Sequence, residues 1–206
     1  MSRQASGLPE RFRGALIALL FTALLAASGW LWRWDQLLYD LQLSLLASEP
    51  SEEIVIVAVD KQSLDALGRW PWSREVHARL IEQLTLAGAR AIVFDILFSE
   101  PLRSDPEADI HLIQAVAASD RVFMPVILEQ QRLGGMLMET MPLPDLANVA
   151  TGLGHVHMDL DADGIARGVY LYEGLGEAYW PHLMLGLQQW LEPGLSLIHI
   201  SEPTRP

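Results

Sequence analysis

The chain contains no cysteine, which excludes a disulfide framework, a thiolate nucleophile and thiolate metal ligation. Basic residues are scarce: 14 Lys and Arg stand against 26 Asp and Glu, for a formal net charge of -12. Phosphate-binding surfaces need clustered Lys and Arg, so nucleic acid is excluded as a partner. No Gly-x-Ser-x-Gly, P-loop or dinucleotide glycine fingerprint occurs, and Gly152-Leu153-Gly154 opens no predicted helix. Internal repeats and low-complexity linkers are also missing. No cofactor is implied by any of these patterns. What remains, in 206 residues, is room for an anchor and one domain of ordinary size.

Hydrophobic residues make up 50% of the chain, and one segment holds much of the excess. Gly14 to Trp32 is uncharged and mostly apolar. At about 1.5 Å per residue, such a run just crosses a hydrocarbon core of about 30 Å. Trp30, Trp32 and Trp34 close it with side chains suited to a membrane–water interface. Arg3, Arg11 and Arg13 precede it, so the positive-inside bias places residues 1–13 in the cytoplasm. Residues 14–34 are thus expected to form an anchor in the bacterial inner membrane, with residues 35–194 outside the cytoplasm. The competing reading is a cleaved signal peptide ending near Ala26-Ala27-Ser28, but apolar and aromatic residues continue beyond it.

The outer region reads as α/β, mostly parallel, with helices on both faces and a C-terminal hairpin. A helix is predicted over Asp35–Ala47, from Leu37, Leu38, Leu41 and Leu45. Ile54 to Val59 is a continuous apolar run ending at Asp60, the pattern of a strand covered on both faces. Ser73 is placed to cap a helix running to Leu86, with Gly88 to end it. Ala91 to Phe94 forms a second buried strand ending at Asp95, followed by a helix over Asp109–Ala118 and a strand over Val122–Leu128. Alternation of this kind implies βαβ units with right-handed crossovers. Leu133 to Leu143 reads as a hairpin or loop, and His155 to Tyr172 as two strands joined by Asp161-Ala162-Asp163-Gly164. A last helix covers Leu183–Trp190.

The tail is different in kind. Leu195 to Arg205 matches one reading frame of a transposase-type sequencing adapter, so residues 195–206 are expected to be foreign. The authentic chain is then expected to continue past Gly194 with other sequence.

Several elements together resemble the CHASE type 2 domain, the cyclase/histidine-kinase-associated sensory extracellular family. They are Val59-Asp60 with Ser63-Leu64, then Gly68-Arg69-Trp70-Pro71-Trp72-Ser73-Arg74, His77, Ala87-Gly88-Ala89 and Phe94-Asp95-Ile96-Leu97-Phe98. Gly154-His155-Val156, Asp161 to Gly164 and Arg167 add to the resemblance, which covers Asp35 to Gly194. It implies a periplasmic α/β sensor followed by transmembrane helices and a cytoplasmic output. That output would be an adenylate or diguanylate cyclase, a histidine kinase or a Ser/Thr kinase. The implied partners are the lipid bilayer, a small-molecule or protein stimulus, and a second copy in a homodimer. The resemblance supplies no binding residues.

Those must come from the pattern itself. Asp60 and Asp95 each end a predicted parallel strand, the edge at which open α/β sheets bind ligands, and Glu100 lies nearby. They are candidates for a polar-ligand or cation site, or else cap helices and pair with Arg74. Trp70 and Trp72 either stack a ligand or wedge a strand–helix junction. Asp159-x-Asp161-x-Asp163-Gly164 begins like a calcium loop, but Tyr170 stands where a bidentate carboxylate is needed. His155 and His157 share a strand face without a third metal ligand. A membrane-anchored hydrolase using Asp60 and Asp95, and an envelope protein making only protein contacts, remain alternatives to the sensor.

Overall fold

The computed structural model describes residues 10–47, 51–130, 137–175 and 179–193. The foreign-looking tail lies outside the described residues. The chain divides into two units, Met1–Ala58 and Val59–Pro206.

In the first unit the anchor run does not form one helix. Helix α1 spans Glu10–Ala27 and α2 spans Trp30–Leu46, with Gly29 between them at φ 67°. That left-handed backbone is open to glycine at little steric cost and ends the first helix. The uncharged part of α1 starts at Gly14 and covers only about 21 Å at the usual rise. Among the described residues no helix is long and apolar enough to cross a membrane, which corrects the continuous span expected over residues 14–34. Leu16, Leu19, Leu20, Phe21 and Leu24 of α1 are exposed, as are Leu37, Leu38, Leu41 and Leu45 of α2.

A second correction concerns Ile54 to Val59. These residues form no strand, and Ile54 to Val57 keep more than half of their surface, rising to 86% at Ile56. Composition favours a strand, but a strand exists only where a partner supplies the ladder.

The second unit begins with short caps that the local sequence dictates. Asp60 accepts the Ser63 N–H at 2.8 Å and opens α3, Lys61–Leu67. Ser73 accepts the Glu75 N–H at 3.3 Å and opens α4, Arg74–Leu86. Strand β1, Ile92–Val93, follows, and Asp105 with Pro106 then starts α5, Pro106–Ser119. Strand β2, Val122–Gln130, is the spine of the sheet. It pairs in parallel with β1 and with β4, Gly152–His155, and its far half pairs antiparallel with β3, Leu137–Thr140. Helix α6, Pro144–Val149, connects β3 to β4.

Successive residues of β2 point to opposite faces. Val122 and Met124 enter a core with Ile81, Ile92, Phe94, Phe98, Leu112, Val116 and Leu146. Phe123 instead meets Trp190 edge to face, with ring centroids 5.7 Å apart, on helix α7, Leu183–Leu191. Helices therefore cover both faces, as the sequence pattern implied. The expected hairpin is reduced to its turn: Gly164, at φ 81°, lies in the loop, and only Asp159 and Gly168 pair across it. The C-terminal strand pair is instead β5, Tyr172–Glu173, with β6, Trp180–Pro181.

Candidate functional site

The tryptophan-rich loop and the first two turns of α4 build one cluster with the loop that follows β1. Trp72 donates its indole N–H to the Gly68 carbonyl at 2.9 Å, which fixes the loop on itself. Trp70 packs edge-on against Trp72, with centroids 5.5 Å apart, and keeps 42% of its surface exposed. The Trp70–Pro71 peptide bond is cis. One helical turn below Arg74, His77 is nearly buried among Trp70, Trp72, Phe94 and Phe98, at centroid distances of 5.7, 6.5, 6.2 and 5.1 Å. Its Nε2 has no hydrogen-bond partner among the described residues. Burial lowers the pKa of this imidazole, and the neighbouring Arg74 charge lowers it further. The enclosure therefore favours the neutral ring.

Arg74 lies across the top of this box. Its guanidinium carbon is 4.5 Å from the Phe98 ring centroid, a cation–π contact. Its Nε is 3.3 Å from Asp109 Oδ1, and Nη2 donates to the Glu100 carbonyl at 3.2 Å. Both side chains are largely withdrawn from water, with 15% and 11% of their surfaces accessible. The other Asp109 oxygen accepts the Leu102 N–H at 2.7 Å. Phe98 is held in turn, because its carbonyl accepts the Leu143 N–H at 2.7 Å. Charge, aromatic faces and loop backbone are thus locked in one geometry.

The predicted residues divide accordingly. Trp70, Trp72 and Arg74 converge. Asp60 does not pair with Arg74. Its carboxylate is occupied by the Ser63 N–H and hydroxyl, at 2.8 and 2.6 Å, and those bonds lower its pKa. Asp95 is exposed and has no ion pair among the described residues. Glu100 contributes its backbone carbonyl to Arg74. The partner of Arg74 is Asp109, which the sequence presents only as the start of a helix. Its role depends on α5 packing on α4, a contact with no local signal.

The other polar groups resolve as follows. Asp161 and Asp163 bind Arg167, at 2.7 Å for Asp161 and 2.8 to 3.0 Å for Asp163, so this loop holds a guanidinium. Among the described residues no group of three His, Cys, Asp or Glu side chains is placed to hold a metal ion. His155 and His157 separate: His157 bonds Glu173 at 2.7 Å, whereas His155 is fully buried.

The family model of the CHASE2 domain matches residues 16–200, nearly the whole chain, and so runs past Leu195 into the stretch read above as adapter-derived. No curated protein and no solved structure matches the chain.

Proposed function

The chain belongs to the CHASE2 domain family, and we propose that it is the extracytoplasmic sensory input domain of a bacterial transmembrane signalling protein. CHASE2 domains are extracellular sensory domains, and the match over residues 16–200 is the observation that carries this reading. The output would be a cyclase or a kinase beyond this chain, working as a homodimer. Helices α1 and α2 offer exposed leucines to a bilayer surface.

The stimulus, a small molecule or a protein, acts at the Trp70, Trp72 and Arg74 cluster. Trp70 supplies exposed aromatic surface at its rim, and the elements behind it are rigidly tied to α4 and α5. A ligand there shifts signalling only by binding one conformation of these elements better than another. Asp60 and Asp95 give a hydrolase less support, since the Asp60 carboxylate is already committed to a helix cap.

Topology is the first test. Alkaline phosphatase fused after Pro193 should be active in intact cells. Inactive phosphatase, together with bright fluorescence from a cytoplasm-only reporter at the same position, would overturn the reading.

A further inference from the structure

The imidazole of His155 is a group that the proposed stimulus site leaves unused. It ends β4, has no accessible surface, and among the described residues neither ring nitrogen makes a hydrogen bond of good geometry, although the main chain at Tyr170 approaches the ring. Buried polar groups are almost always satisfied, so such a ring needs an account. Its nearest aromatic neighbour is His182, with centroids 5.2 Å apart and planes at 87°. The two residues also form a parallel bridge between their backbones.

His182 is itself committed to structure. It caps α7, its Nδ1 accepting the Met184 N–H at 3.3 Å. An acceptor nitrogen is available only while the ring is neutral. The same seam is closed at Gly154, where a Cβ would lie 2.6 Å from Leu183 Cα and 2.7 Å from the Pro181 carbonyl oxygen. Strand β4 and the start of α7 therefore meet without clearance.

The surroundings offer little to a proton. On the β2 side His155 pairs with apolar Val126. From the seam comes a second imidazole, His182, and from the chain just beyond β4 a third, His157. Glu173 on β5 is the nearby carboxylate, and it is bonded to His157. Glu139 on β3 is occupied by the Trp180 indole at 2.6 Å, and Asp159 lies 3.6 Å from His157. Burial, then His182 and His157, disfavour a charged His155 and outweigh the Glu173 charge and the main chain at Tyr170, which favour it. Burial acts on His182 in the same direction.

We propose that the β4–α7 junction is a proton-operated latch, closed while His155 and His182 are neutral and released when they are protonated. Protonation of His155 places a charge in the seam that the Tyr170 main chain and Glu173 offset only in part, and protonation of His182 removes the α7 cap. Acidity outside the membrane is then a second input, separate from the stimulus at the tryptophan cluster, and release frees α7 from the sheet. In a neutral-only native ring the unfolded chain binds protons more readily. The stabilisation is thus present above the free-histidine value of about 6.5 and lost as pH falls below it.

The location of this input rests on the sensory reading, but the latch itself can be tested without it. Hydrogen exchange of the α7 amides, Gly186 to Trp190, is measured in the full chain from pH 8 to pH 5, corrected for intrinsic rates. The latch predicts a loss of protection that deepens toward the acid end, by up to about tenfold per pH unit for each proton the open form takes up. H155F should abolish most of that loss, and H182N, which keeps a capping oxygen, should reduce it. If H155F does not fold, H155Q takes its place with the same expectation. Constant protection of α7 in the unaltered chain, or an equal acid response in the His155 variants, would sink the latch and leave the sensory reading intact. A cytoplasmic location would do the reverse.

Discussion

Two polar clusters are buried in the same unit, and they treat charge in opposite ways. Around Arg74, a charge that cannot be lost is paired with Asp109, laid on Phe98 and bonded to a carbonyl. Around His155, a charge that can be lost is left without a counter-ion of its own, beside a second imidazole. Arginine stays protonated at any physiological pH, so burying it demands a counter-ion, whereas histidine can shed its proton instead. The Arg74 guanidinium keeps its charge through neutrality, although His77 beneath it has a lowered pKa. The second arrangement makes stability depend on pH.

The comparison breaks most sharply at Asp109. Replacing it with Ala leaves the Arg74 charge buried and unpaired, and should cost about 3–5 kcal/mol in urea unfolding. A loss under about 1 kcal/mol would mean that the pair is solvated and the cluster adaptable. Next in size is Gly154→Ala, which forces β4 from α7 and should cost about 1–3 kcal/mol, read by the same melt. This change also admits water to His155, so the acid dependence of the remaining stability should flatten.

The third effect is the acid dependence itself. Thermal midpoints should fall from pH 8 to pH 5 in the unaltered chain and fall less in H155F. Added salt should change this little, because the ring is out of reach of ions. The smallest effect sharpens the contrast at the surface. His111 on α5 lies between Glu75 and Glu82 on α4, bonded to both, and Glu75 first and Glu82 second raise its pKa. Its contribution is therefore present below the free-histidine value and lost as pH rises through the raised one. H111A should lower the thermal midpoint slightly at pH 6 and less at pH 9, and salt should weaken the difference. A histidine with counter-charges and one without should thus bend the stability profile in opposite directions.

Much of the fold was legible because its signals are local. Ser73 capped α4 as predicted, Leu86 ended it, and the strand expected at Val122 formed with a slightly longer extent. The segments that failed depended on distant partners. Ile54 to Val59 and Ile92 to Phe94 have nearly the same composition, yet only the second found a ladder, through Arg121 and Phe123. Strand β3 falls in the stretch read as a hairpin or loop, and its antiparallel register with β2 is what the sequence left open. At the site, Trp70, Trp72 and Arg74 were marked by the sequence, whereas Asp109 was not. The carboxylates that looked chemical, Asp60 and Asp95, were conspicuous only as strand ends.

The uncovered run at Ile54 has a practical consequence. Four successive β-branched residues, without charge or proline, have the composition of a cross-β nucleus. Outside any strand pairing among the described residues, this stretch should let copies of the chain at high concentration add to one another like strands to an open edge. The onset of turbidity, rather than the midpoint of a melt, therefore sets the ceiling on protein concentration. A single lysine at Val55 should raise that ceiling.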